Sequence, residues 1–202
     1  MSEEAVIRHC SPTLAGLKTG NLFCYQYESR EAMRSALCAW NQRLRGKGVR
    51  VLPLRYQKGS ALIYFYRPAL LSRDIEDEKT SRILAERGYN LSTSERCIVH
   101  LIERLAQSGE FPHEIGLFLG YPPEDVCGFI ENKACGFKCV GCWKVYGDAE
   151  KAEKLFSRYK KCTQVYQDQW AKGKSVERLT VSVRNINLEL EKTRSRMEEK
   201  EL

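Results

Sequence analysis

Apolar positions change their spacing several times along the chain, and each change marks an element. Met33, Ala36, Leu37, Trp40 and Leu44 recur at helical spacing, and that pattern stops at Gly46 and Gly48. VRVLPLRYQKGSALIYFYR (49–67) instead holds two β-rich runs joined at Gln57-Lys58-Gly59-Ser60, which predicts a hairpin. Pro53 has no amide hydrogen for a ladder, so the first run belongs at a sheet edge or a bulge. NLFCYQYE (21–28) reads as an aromatic-rich strand, and SPTLAGLKT (11–19) as a short helix capped by Ser11 with Pro12 at its first position.

One or two helices are expected between Pro68 and Arg87, ended by Gly88. Ser92 and Glu95 form a capping-box pattern before a helix with Ile98, Leu101, Ile102 and Leu105 on one face. FKCVGCWKVYG (137–147) reads as a further strand. A long helix over 148–172 would bury Ala152, Leu155, Phe156, Tyr159, Tyr166 and Trp170.

This order predicts an α+β fold: a mostly antiparallel sheet of about four strands with packed helices, and a helical insert over about 68–133. The expected organisation is one domain over 1–182 and a charged, solvated tail over 183–202, with no internal repeat. With 202 residues the chain is long enough for a sizeable core.

Composition narrows the class. Charged residues make up 29% of the chain and no run of about 18 apolar residues occurs, which excludes a membrane-spanning helix. MSEEAVIRHCSP is acidic where a secretory signal would be basic, so a cytoplasmic location is expected. Nine scattered cysteines, an odd number, then read as reduced thiols. The net charge of +7 is uneven: between Glu31 and Asp74 there are nine lysines and arginines, from Arg34 to Arg73, and no acid. Such a block suits phosphates or an acidic protein partner, although a solvated face balanced by the acids around 74–86 is the simpler reading.

Four constellations carry candidate chemistry. FPHEIGLFLGYPPEDV (111–126) has the glycines and apolar positions of a helix-turn-helix corner. Its second helix would open with Glu124 and Asp125, which a duplex backbone repels, so nucleic-acid binding is not the leading expectation. Lys58–Phe65 echoes an RNA-recognition strand but has Ser60 and Leu62 where stacking rings belong. Cys135-x3-Cys139-x2-Cys142, with Cys127 upstream, has thiol spacing used for iron–sulfur or zinc sites, yet a strand would point Cys142 away from the other two. The fourth is polar. His9 and Cys10 precede the predicted 11–19 helix, whose N-terminus would stabilise a thiolate, and Lys18 follows. His113 and Glu114 open another helix, with Tyr121 and Asp125 at its exit, so Cys10 and His113 could pair as nucleophile and base. Walker, GxGxxG, HExxH and GxSxG signatures are all missing.

HCSPTLAGLKTGNLF, FPHEIGLFLGYPPEDVCGFIEN, WKVYGDAEKAEKLFSRYKKCT and GKSVERLTV together resemble a bacterial family of unknown function, domain of unknown function 3793. Its hallmark is the Pro-His-Glu triplet at 112–114, and it is associated with anaerobic bacteria. The resemblance runs from about residue 5 to 181 and implies a cytosolic bacterial protein, with no reaction, cofactor or ligand attached. By similarity to the family motifs, it marks His9, Cys10, Thr13, Lys18, His113, Glu114, Tyr121, Asp125 and Asn132 as positions to test. The leading expectation is a polar site formed by residues 9–18 and the 112–125 corner. It would bind, and as an open alternative transform, a small anionic molecule. The alternatives are a nucleic-acid-binding regulator and a protein-interaction module using the basic face or the tail.

Overall fold

A computed structural model of the chain describes residues 1–107 and 109–182. The predicted tail at 183–202 lies outside the described residues. The fold is α+β, built on a three-stranded antiparallel sheet ordered β1-β3-β2, with β1 at Gly20–Gln26, β2 at Arg50–Gln57 and β3 at Ser60–Tyr66. β3 takes the centre because both of its faces are apolar. Ala61, Ile63 and Phe65 point into one core, while Leu62, Tyr64 and Tyr66 point into the other. Both faces of β3 are thus covered, and no row of rings is left open for stacking bases. β2 is an edge strand, and the register shifts between Pro53 and Arg55, where the proline would otherwise interrupt the ladder.

The first core lies under α1 (Glu3–Leu14) and α2 (Arg30–Leu44) and includes Val6, Ile7, Cys10, Leu14, Met33, Leu37, Trp40 and Leu44. The opposite face is covered by the consecutive helices α3 (Pro68–Glu76), α4 (Glu78–Glu86), α5 (Ser94–Ala106), α6 (Ile115–Phe118) and α7 (Pro123–Glu131). The long α8 (Ala149–Ala171) packs on α1, and its Tyr166, with Val176 of the short α9 (Val176–Leu179), closes the first core. No helix among the described residues is long and apolar enough to cross a membrane.

Three local expectations need correction. The expected helix at 11–19 is the end of α1, which Ser2 caps by accepting from Ala5 N, with Glu3 and Glu4 in the first turn. Pro12 sits inside this helix rather than at its start. The buried stripe Val6, Ile7, Cys10 and Leu14 outweighs the one backbone hydrogen bond that the proline removes. The cap of α5 is Thr93, which accepts from Arg96 N, rather than Ser92. The expected strand at 137–147 is a small separate hairpin, β4 (Cys139–Val140) with β5 (Lys144–Val145), so the main sheet has three strands. Glycine and cysteine at 141–142 turn the chain there, which keeps it from extending as one strand.

The 112–125 corner consists of the four-residue turn α6, Gly120 in the left-handed region at φ 74, and α7. α6 is a single turn, so the corner holds one helix of ordinary length, not two.

Arg67 is a structural pivot. It is fully buried, and its guanidinium donates to the carbonyls of Thr13 (2.6 Å), Leu14 (2.6 Å), Lys47 (3.2 Å) and Val181 (2.9 Å). The first two lie at the C-terminus of α1, where the helix dipole favours a cation, and they also accept from Gly16 N and Val181 N. Burial nonetheless pulls the Arg67 pKa down to about 10.

Candidate functional site

The loop after α1 carries Lys18 into the structure, and Gly20 then starts β1 hard against the 118–121 segment. A Cβ at Gly20 would lie 2.4 Å from the Tyr64 ring and 3.0 Å from the Phe118 carbonyl; one at Gly120 would lie 2.8 Å from Thr19 Oγ1. Close approach at these two glycines therefore brings residues 18–20 and 118–121 together. Thr19 is further held by its hydroxyl, which donates to Asp74, itself paired with Arg73.

Lys18 is only 6% exposed, and its Nζ lies 5.0 Å from the Tyr121 ring centre and 5.9 Å from that of Tyr159. Both faces are aromatic because Tyr121 stacks on Trp143 (4.5 Å) and Trp143 meets the Phe156 edge (4.6 Å). Among the described residues no carboxylate lies within 4.0 Å of Nζ. Desolvation dominates and lowers the Lys18 pKa to about 8. Thiolates at Cys142 and Cys10 would oppose that fall, but burial raises both thiols, so they are uncharged at neutral pH. Burial also pushes the Tyr121 phenol up to about 12, so it stays protonated.

Two clefts meet at Lys18, Tyr121 and Tyr159. The first, about 440 Å³, is walled by His9, Pro12, Asn21 and Cys142 on one side and by Phe156, Lys160, Thr163, Gln164 and Gln167 of α8 on the other. Its charged or titratable side chains are His9, Lys18, Lys160, Cys142 and the two tyrosines, with no carboxylate among them. The second, about 900 Å³, carries Arg73, Lys151 and Arg158 but also Asp74, Glu76, Asp77, Glu124, Asp125 and Asp148. The clefts therefore differ in sign: the first is lined by lysines without carboxylates, while the second is acidic on balance.

The expected site residues fall into three groups. His9, Lys18 and Tyr121 line the first cleft. His9 lies largely at the surface and stacks on Phe23 at 4.8 Å, and partial desolvation, then Arg8, lowers its pKa and favours the neutral imidazole. Thr13 stands behind the wall: its hydroxyl donates to Asn21 Oδ1 at 2.7 Å, which turns the Asn21 amide so that its NH2 remains a donor.

A second group builds the frame. Asp125 is buried and accepts from Trp143 Nε1 (2.7 Å), Tyr146 N (2.7 Å) and Gly147 N (2.8 Å), which ties the β4–β5 hairpin to α7. Glu114 is buried between Tyr89, whose hydroxyl donates to it at 2.9 Å, and Arg104, whose Nε lies 2.6 Å away in an ion pair. Asn132 donates to the Gly128 carbonyl at 2.8 Å and finishes α7.

The third group lies apart. Cys10 is wholly buried in the middle of α1, away from any helix N-terminus, and desolvation raises its thiol well above the ordinary range. That is the opposite of an activated nucleophile. His113 packs against the Phe129 ring at 4.9 Å with Glu110 at 3.7 Å, and lines a separate slot of about 370 Å³ that shares only Leu119, Tyr121 and Cys142 with the first cleft. Cys10 lines none of these three clefts. Cys127, Cys135, Cys139 and Cys142 are free thiols, and among the described residues no three metal-ligating side chains gather into a set able to hold an ion.

Sequence reasoning missed the α8 wall. Lys160, Thr163, Gln164 and Gln167 recur at steps of three and four beside the expected buried Phe156 and Tyr159, a polar stripe on a helix otherwise rich in charge. Uncharged hydroxyl and amide groups along one helical face were the available signal.

No curated protein and no solved structure matches the chain. The family model described as protein of unknown function (DUF3793) matches residues 6–180, so the chain that builds this cleft belongs to that family.

Proposed function

We propose that the cleft between the 9–22 segment and α8 binds a small anionic molecule. The observation that carries this reading is Lys18: a cation held in an aromatic slot, without a carboxylate among the described residues, on the wall of a carboxylate-free cleft. A buried cation without a counter-ion is unfavourable, and an anionic ligand would supply the missing partner. Lys160 adds a second positive charge, and Asn21, Thr163 and Gln167 add neutral donors that fix orientation, while the Gln164 amide already donates to Asp168 at 2.9 Å. The volume of about 440 Å³ suits a molecule of a few to a dozen heavy atoms.

Calorimetric titration with oxalate, phosphate and citrate at low ionic strength tests this. At least one should bind, and Lys160→Ala should weaken it about tenfold, as expected for one charge-assisted hydrogen bond. Failure of all three anions to bind, or binding indifferent to Lys18→Met and Lys160→Ala, would overturn the reading.

A further inference from the structure

We propose that Lys18 forms a Schiff base with the carbonyl of a small 2-oxo acid held in this cleft. The inference rests on the anion-binding reading and adds the reacting group. An amine that serves only as a counter-ion is best kept solvated and protonated. Lys18 is placed otherwise: it is only 6% exposed in the cleft wall, and this loss of hydration favours the neutral form against the pull of the Tyr121 and Tyr159 rings on the cation. With a pKa of about 8 against the usual 10.5, the neutral amine at pH 7 is about 300-fold more abundant than on an ordinary lysine. The amine is also within the cleft wall, so a bound molecule can reach it, whereas the nearby Cys10 thiol is sealed in the core.

The two functional groups of a 2-oxo acid match this arrangement. Lys160, Asn21 and Lys18 line the same cleft, so a 2-oxo acid whose carboxylate meets Lys160 and the Asn21 amide would bring its adjacent carbonyl carbon toward the Lys18 amine. The neutral nitrogen's lone pair forms the C–N bond while the carbonyl π electrons move to oxygen. One N–H proton passes to that oxygen, giving a carbinolamine. The nitrogen then expels the oxygen, which leaves as water with the second N–H proton, and the imine takes a proton from solvent. One water is released and nothing is oxidised or reduced. Electron withdrawal by the iminium then activates bonds at the adjacent carbons.

The test uses the full-length protein. Glyoxylate or pyruvate is added with cyanoborohydride at pH 7, and the tryptic peptides are mapped by mass. The expected result is a carboxymethyl or carboxyethyl group on Lys18, acquired at least about tenfold faster than on the exposed Lys161 of α8. Lys18→Arg, which keeps the cation and removes the nucleophile, should abolish the fast labelling. In parallel, calorimetry measures oxamate, which has the shape and charge of pyruvate but no electrophilic carbonyl. If oxamate binds and Lys18 is labelled no faster than Lys161, the Schiff-base proposal is overturned while anion binding stands. If neither oxamate nor the oxo acids bind, both fail.

Discussion

Replacing Lys18 by Met exchanges a desolvated cation for an apolar chain of similar length in an aromatic slot, and the consequence depends on pH. The folded pKa of about 8 lies below the ordinary 10.5, so between these values the unfolded chain holds a proton that the folded chain has lost. Wild-type stability attributable to Lys18 therefore rises with pH across that window. Well below pH 8 the full burden of burying the charge applies, about 3 kcal/mol for this interval. Linkage over the range from pH 7 to 9.5 recovers about 2 kcal/mol of it. Cys10 of α1, Cys142 of the hairpin, Tyr121 and Tyr159 are the groups coupled to Lys18 or in contact with it, and the carboxylates of the second cleft, Asp74 and Asp125 among them, lie more than 4.0 Å from Nζ. Burial raises the pKa of all four and so favours their protonated forms in the folded state. Raised thiols lower stability as pH climbs past about 9, but that slope is common to both proteins and largely cancels in their difference. Urea unfolding of wild type and Lys18→Met under reducing conditions at pH 7, 8, 9 and 9.5 measures the effect. The stability of the variant relative to wild type should fall by about 2 kcal/mol over this range. A difference constant to within about 0.5 kcal/mol would refute desolvation of Lys18, and with it the electrostatic basis of the site.

Three structural substitutions should follow the hydrogen-bond and packing pattern. Asp125→Asn loses the charge that accepts from Trp143, Tyr146 and Gly147, and should destabilise by about 2–3 kcal/mol with a red shift of tryptophan emission; a loss under about 0.5 kcal/mol would show the hairpin is held otherwise. Gly120→Ala places a Cβ in the left-handed region at φ 74 beside Thr19, and should remove about 2 kcal/mol in urea unfolding. Arg67→Met takes the side-chain donor from four backbone carbonyls, of which Thr13 and Leu14 keep a backbone donor and Lys47 and Val181 lose the donor seen in this structure, and should lower stability by about 2 kcal/mol or more, visible as a fall in thermal midpoint.

Legibility in the sequence followed the strength of the local pattern. The β2–β3 hairpin is readable because Lys58-Gly59 demands a tight turn and because β3 is an unbroken apolar and aromatic run after Ser60; Gly59 does adopt φ 76. α2 and α8 were readable from their apolar spacing alone. α1 was misread because Pro12 signals a helix start in local terms, whereas the stripe that buries Cys10 on the sheet is a tertiary effect. At the site, Lys18 and Tyr121 were singled out and do share a cleft. His113 was singled out too, but its neighbours are Phe129 and Glu110 rather than Lys18. The packing of α8 on α1 supplies Tyr159 and Gln164 from about 140 residues downstream of Lys18, a long-range pairing with no local trace. The basic segment shows the same limit. Arg43 is neutralised by Glu3 and Glu177 and Arg67 by carbonyls, not by the acids at 74–86 that sequence proximity suggested, although Arg73 does pair with Asp74.

The central claim is that Lys18 is a desolvated amine waiting for an anion, and its titration can be read directly. Protein labelled with 13C at lysine Cε gives one signal per lysine, and Lys18→Met assigns the relevant one by its disappearance. The Lys18 signal should titrate with a midpoint near 8, well apart from the other lysines. Saturation with an anion found by calorimetry should move that midpoint upward, because an opposite charge favours the ammonium form. A midpoint near 10.5 that no anion shifts would contradict the account.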